Sequence, residues 1–162
     1  MKIITYPSPV LRNKSRPIDI SKMNEIKYFA KEMERALNEK DGLGLAASQV
    51  GKNIQLALIR TQEGVLALIN PRLIKKSFSR EVMEEGCLSV PHVFGLVKRP
   101  RMIKVETLTF NGQKKTISAH GLFARVIMHE IDHLNGILFI DKVKKITQGA
   151  DLLKQYESTS KK

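Results

Sequence analysis

The sequence predicts an α+β fold in which antiparallel β-strands pack around one central helix, with an N-terminal helix and a C-terminal helix or tail beside them. Three observations predict it. Apolar residues recur with a helical period in 22–39 and again in 122–134, and the stretch between is made of short apolar or alternating runs. The dipeptide Asn111-Gly112 between two such runs marks a hairpin.

The elements follow in order. Pro7, Pro9 and Pro17 keep the first twenty residues irregular. Ser21 offers an N-cap, and Met23, Ile26, Phe29, Ala30, Met33 and Leu37 then form one face of an amphipathic helix that Gly42 and Gly44 end. Residues 54–60 and 65–70 are short apolar runs, further strands are expected within 72–84, and 103–110 alternates in β fashion. Asn111-Gly112 reads as a type I′ turn leading into 114–119. Leu122, Phe123, Val126, Ile127, Ile131 and Leu134 make a broad helical sector, stopped at Asn135-Gly136. A short apolar run follows at 137–140. The tail carries six lysines against two acids and reads as helical around Leu152. The expected organisation is one catalytic domain over 1–141 and a basic C-terminal extension over 142–162.

Composition bounds the function. With 162 residues, 42% hydrophobic and 27% charged, the chain suits one folded domain and is not a disordered or collagen-like sequence. No run approaches the ~20 apolar residues that span a bilayer, and nothing at the N-terminus suggests secretion. Cys87 is the only cysteine, so no disulfide partner exists within the chain, which points to a reducing compartment such as the cytoplasm. A net charge of +12 draws anionic partners. No basic stripe with interleaved aromatics is visible, which favours work near an anionic assembly over specific nucleic-acid recognition.

The strongest chemical signal is His129-Glu130-Ile131-Asp132-His133 on the second helix. Spacing i, i+4 puts both imidazoles on one face, where they can share a metal ion, and Glu130 lies beside the first. A catalytic metal site commonly takes three protein ligands and keeps one position open. The histidine that an extended protease motif places six residues after the second is Phe139 here, and the only later glutamate, Glu157, lies in the lysine-rich tail. The soft upstream candidate is Cys87, whose thiol ionises beside a cation. Gly42-Leu43-Gly44-Leu45-Ala46-Ala47-Ser48-Gln49 adds small residues against which an extended substrate can lie, and the Gln49 amide as a donor.

Together, 42–49, Glu85-Gly86-Cys87-Leu88-Ser89 and 129–133, in that order, resemble the signatures of the peptide deformylase family, and Tyr6-Pro7-Ser8-Pro9-Val10-Leu11 is similar to its opening. The resemblance implies hydrolysis of the N-formyl group from the formylmethionine of new polypeptides, releasing formate. It implies one divalent metal ion on Cys87, His129 and His133, ferrous iron first and zinc, nickel or cobalt in its place. Glu130 becomes the general acid/base, and the Gln49 amide and Leu88 backbone N–H the oxyanion donors. Leu43 walls the methionine pocket, Gly44 and Gly86 pair with the peptide backbone, and Asp132 pairs with Arg99 to hold the helix.

Two positions depart from the family pattern: Met128 stands where many members have Gln, and Phe94 where some carry a peptide-contacting Arg. The tail at 142–162 occupies the place of an extension that docks some members on the ribosome. Two other readings stay open, a metallopeptidase using the same helix motif and a basic ribosome-associated module with a structural metal.

Overall fold

The computed structural model describes residues 1–159. Short 3₁₀ turns at Pro9–Arg12 and Ile20–Lys22 interrupt the irregular start, and helix α1 runs Met23–Glu39. The cap differs from expectation: the Asp19 carboxylate accepts from the Ser21 N–H, so Asp19 caps the turn that leads into α1. The predicted apolar face, Met23 through Leu37, is buried.

Strands β1 (Gly44–Ala46), β2 (Leu56–Thr61), β3 (Gly64–Lys76), β4 (Arg80–Cys87), β5 (Val90–Pro100), β6 (Met102–Leu108) and β7 (Lys114–His120) precede helix α2 (Gly121–Leu134). Strand β8 (Val143–Gln148) and helix α3 (Ala150–Thr159) follow. All strand pairs are antiparallel. One sheet has the order β1-β2-β3-β6-β7 and the other β4-β5-β8, and α2 lies between them. The α+β expectation holds, with the central helix carrying the histidine motif.

Three strands were not legible, the first being β1, which pairs with β2 where Gly44 reads as a helix stop. In β5 the buried Val90, Val93 and Val97 are interrupted by Pro91, Gly95, Lys98 and Pro100, so no continuous apolar run announces it. Strand β8 places 143–148 at a sheet edge, where Lys144 and Lys145 are exposed; charged side chains suit an edge because they discourage pairing with another chain. Gly95 makes the β5–β8 pairing possible, since a Cβ there would stand 2.2 Å from the Val143 side chain.

The 111–112 turn is also corrected. Gly112 has φ +76°, but Asn111 is not in the left-handed region, and a type I′ turn needs both central residues there. The loop instead closes through Gly112 N–H to Thr109 O at 2.9 Å and Thr109 N–H to Gln113 O at 2.8 Å. The apolar run at 137–140 enters a 3₁₀ turn, Phe139–Asp141.

Three apolar clusters fill the fold. One joins α1 to β2 and β3, a second joins α2 to the larger sheet through Ala124, Ile127, Val105 and Ile117, and a third gathers Leu11, β5, Leu138 and Phe139.

Candidate active site

The site forms where β4 ends against α2. Strand β4 delivers Cys87, and α2 presents His129 and His133 one turn apart, their rings 4.9 Å between centroids. One ligand atom from each of the three residues lies within 4.8 Å of the others, and Cys87 Sγ stands 3.2 Å from His133 Nε2. Bond lengths of about 2.3 Å to sulfur and 2.0–2.1 Å to imidazole nitrogen put tetrahedral donors roughly 3.5 Å apart, so one ion fits this set. Phe139 lies against His129 with ring centroids 6.2 Å apart and is buried, so it supplies packing at the position of the extended protease ligand.

Glu130 is buried beside the donors. Its Oε2 has no hydrogen-bond partner among the described residues, which leaves a carboxylate oxygen available to a reacting group. Burial raises its carboxyl to about 7 against the opposing charges of His129 and Arg99, which poises it for proton transfer at neutral pH. Gly44 is required here, because a Cβ would stand 2.5 Å from Glu130 Oε1.

Gln49 sits in the 3₁₀ turn Ala47–Val50. Its Oε1 accepts from the Ala46 N–H at 2.8 Å, and this fixes its amide nitrogen toward Ser89 Oγ at 3.1 Å and Cys87 Sγ at 3.6 Å. The Ser89 N–H also reaches Cys87 Sγ at 3.4 Å.

Behind the donors lies a buried ionic network of which the family resemblance named only Arg99 and Asp132. Glu85 accepts from Arg99 Nε at 2.6 Å, Arg99 Nη2 at 2.8 Å and Arg125 Nη1 at 2.6 Å, and it meets His129 Nδ1 at 3.0 Å. The His129 Nδ1–carboxylate contact directs Nε2 toward Cys87 and His133, the usual way a carboxylate orients a ligating imidazole. Arg99 Nη1 also donates to Asp132 Oδ2 at 2.7 Å, and Lys142 Nζ to Asp132 Oδ1 at 2.6 Å.

Burial pushes Glu85 upward, but hydrogen bonds from Arg99 and His129 outweigh it and hold the carboxyl well below its ordinary range. Burial lowers His129, yet its bonds to Cys87 and Glu85 prevail and raise it to about 10. Burial, then the charge of His129, holds His133 well below its ordinary value. A signal for the missed residues exists. Glu85 is two residues before Cys87 on one strand, and Arg125 is one helical turn before His129, so both share a face with a donor.

A cavity of about 890 Å³ opens over the donors, lined in part by Leu43, Gly44, Gln49, Gly86, Leu88 and Phe94. Leu43 is half exposed at its wall. Phe94 packs on Gly86, where a Cβ would stand 2.6 Å from its ring. His92 also lines the cavity, outside the three-donor cluster, and His120 is exposed just before α2.

The model of the family described as Polypeptide deformylase matches residues 1–149. The chain belongs to the peptide deformylase family. Peptide deformylase 2 of Clostridium acetobutylicum is 44% identical over 135 residues, covering 83% of this chain and 89% of that protein. The crystal structure of Arabidopsis thaliana peptide deformylase 1B in complex with an inhibitor superposes with a TM-score of 0.88 at 36% identity, covering 99% of this chain and 91% of that one. A Synechococcus elongatus peptide deformylase in complex with actinonin gives 0.84 at 38% identity, covering 89% and 79%. The family is one of hydrolases that remove the N-formyl group from nascent peptides, and it uses a divalent metal, which Cys87, His129 and His133 could hold. Among the described residues no helix is long and apolar enough to cross a membrane, and the chain's single cysteine can form no internal disulfide.

Proposed function

We propose that the chain hydrolyses the formyl group of an N-terminal formylmethionine on newly made polypeptides, releasing formate, with a divalent ion on Cys87, His129 and His133. The observation that carries this reading is the convergence of those three donors beside a buried Glu130. Ferrous iron is the ion that family resemblance favours, and a thiolate with two imidazoles also suits zinc, nickel or cobalt. When bound, the ion supplies a Lewis acid and a water acidic enough to react at neutral pH.

The chain's own residues do the rest. Glu130 takes the water's proton and delivers it to the departing amine. The Gln49 amide and the Leu88 N–H donate to the oxygen on which charge develops, and losing one such donor costs ~10²–10³ in rate. The backbones at Gly44 and Gly86 flank an extended peptide, a strand addition that binds with little dependence on side chains. Leu43 walls the methionine pocket. Asp132 and Arg99 fix α2 so that both imidazoles keep their aim.

The lone thiol and the reaction class support a cytoplasmic location. The basic C-terminal extension docks on the ribosome. Because β8 is one strand of a sheet, the deletion that tests this removes 150–162 only, and co-sedimentation with ribosomes should weaken.

The deciding assay is formate release from formyl-Met-Ala-Ser, measured anaerobically with and without chelator. Glu130→Gln should lower the rate by ~10²–10⁴. Cleavage of an unformylated peptide, or unchanged formate release after chelation, would overturn the reading.

A further inference from the structure

We propose that the corner where β3 turns into β4 is a docking site for single-stranded RNA, with Phe78 as a stacking platform for an unpaired base. Phe78 is fully exposed at the tip of this corner, between Ser77 and Ser79. The β5–β6 connection lies against it: the Ser77 N–H donates to Met102 O at 2.9 Å, and the Arg101 N–H to Ser79 O at 3.0 Å.

The four strands that meet here bring Lys75, Lys76, Arg80, Lys98 and Lys104 to the surface, and none of these five has an ion-pair partner among the described residues. Lys75 stands directly opposite Lys104 across the β3–β6 pairing. Like charges so placed repel across a sheet, and a bound phosphate would relieve that repulsion. Met102, also exposed, extends the apolar surface beside Phe78.

Cations that track a phosphate backbone, together with an exposed aromatic ring, are the chemistry of single-strand binding; an aromatic face accepts any base. A duplex hides its bases and offers Phe78 nothing. The basic, aromatic-bearing surface invisible as a stripe in the sequence is assembled from four strands. Its placement has a consequence for the enzyme. Strand β4 runs from Arg80 to Cys87, so bound RNA would sit about 23 Å along that strand from the candidate metal ligand.

Fluorescence anisotropy of a short fluorescein-labelled oligouridine with the full chain tests it. Phe78→Ala should weaken binding roughly 10-fold. Lys75→Ala with Lys104→Ala should weaken binding to all sequences and reduce the log–log salt slope by about 1.4. Lys27→Ala with Lys31→Ala, exposed on α1, should leave affinity unchanged, and thermal melting checks that every variant folds. Three results would overturn the proposal: unchanged affinity in the corner variants, loss confined to the α1 variant, or binding to phosphatidylserine vesicles without binding to the oligonucleotide.

Discussion

Helix α2 is held differently on its two sides. Toward β6 and β7 it meets Val105, Ile117 and Ala119 through Ala124 and Ile127, an apolar contact that depends on filled volume. Toward β4 and β5 it meets Glu85 and Arg99 through Arg125, His129 and Asp132, a buried contact that depends on paired charge. Volume-based contacts tolerate changes of shape that keep total volume. Charge-based contacts do not tolerate loss of one partner, because the survivor is left unpaired in a poor solvent. The candidate histidine donors sit on the second side, where direction matters more than area.

Substitutions on each side sharpen the contrast. Glu85→Gln takes the carboxylate from Arg125 and His129 and leaves Arg99 only Asp132, and should cost about 4 kcal/mol in a denaturant titration at neutral pH, with loss of bound metal. Glu85 has its folded pKa below its unfolded value, so its contribution is present above about pH 4.5 and is lost as pH falls through the lower folded value. The gap between the two proteins should therefore narrow in acid. A cost below about 1 kcal/mol would put this network on the footing of a surface pair.

Glu130 carries the opposite sign. Its folded pKa of about 7 exceeds the unfolded value of 4.5, so the stability tied to its proton is present below 4.5 and lost as pH rises through 7. In chelated protein, Glu130→Gln should raise stability by about 3 kcal/mol at pH 8 and by almost nothing at pH 4. An equal effect at both pH values would refute burial as the cause.

On the apolar side, Ile127→Val should cost about 1 kcal/mol in the same titration, with formate release little changed. The smallest effect belongs to an exposed pair far from either side: Arg35→Ala, which removes the 2.7 Å contact to Glu32, should change stability by about 0.3 kcal/mol. A larger loss there would blur the distinction between buried and exposed charge.

The two sides also differ in how legible they were. Ile127 and Leu134 follow from a helical period that neighbouring residues write into the chain, whereas Ala124 and Met128, buried beside them, lay outside it. Cys87 was reachable because two imidazoles at i, i+4 left a ligand unassigned and the chain offers one thiol. Glu85 and Arg125 were passed over because an acid in a strand and a base in a helix look like surface residues until their partners are known. Arg99 and Asp132 were paired only through the family resemblance. Strand β5 was hidden by its prolines and glycine, and β8 by its lysines, since an edge strand needs only one buried neighbour.

What the sequence determined by itself was local: helical and alternating periods, the spacing of the histidines, and the kinds of atom available to bind and to move protons. Those follow from residues within a turn or two of one another. The tertiary structure alone decided which carboxylate orients His129, that β8 completes the smaller sheet, and that four cation-bearing strands meet at the corner that carries Phe78. Each of these is a meeting of residues far apart in the chain, and the cost or benefit of a charge is set by its surroundings after folding.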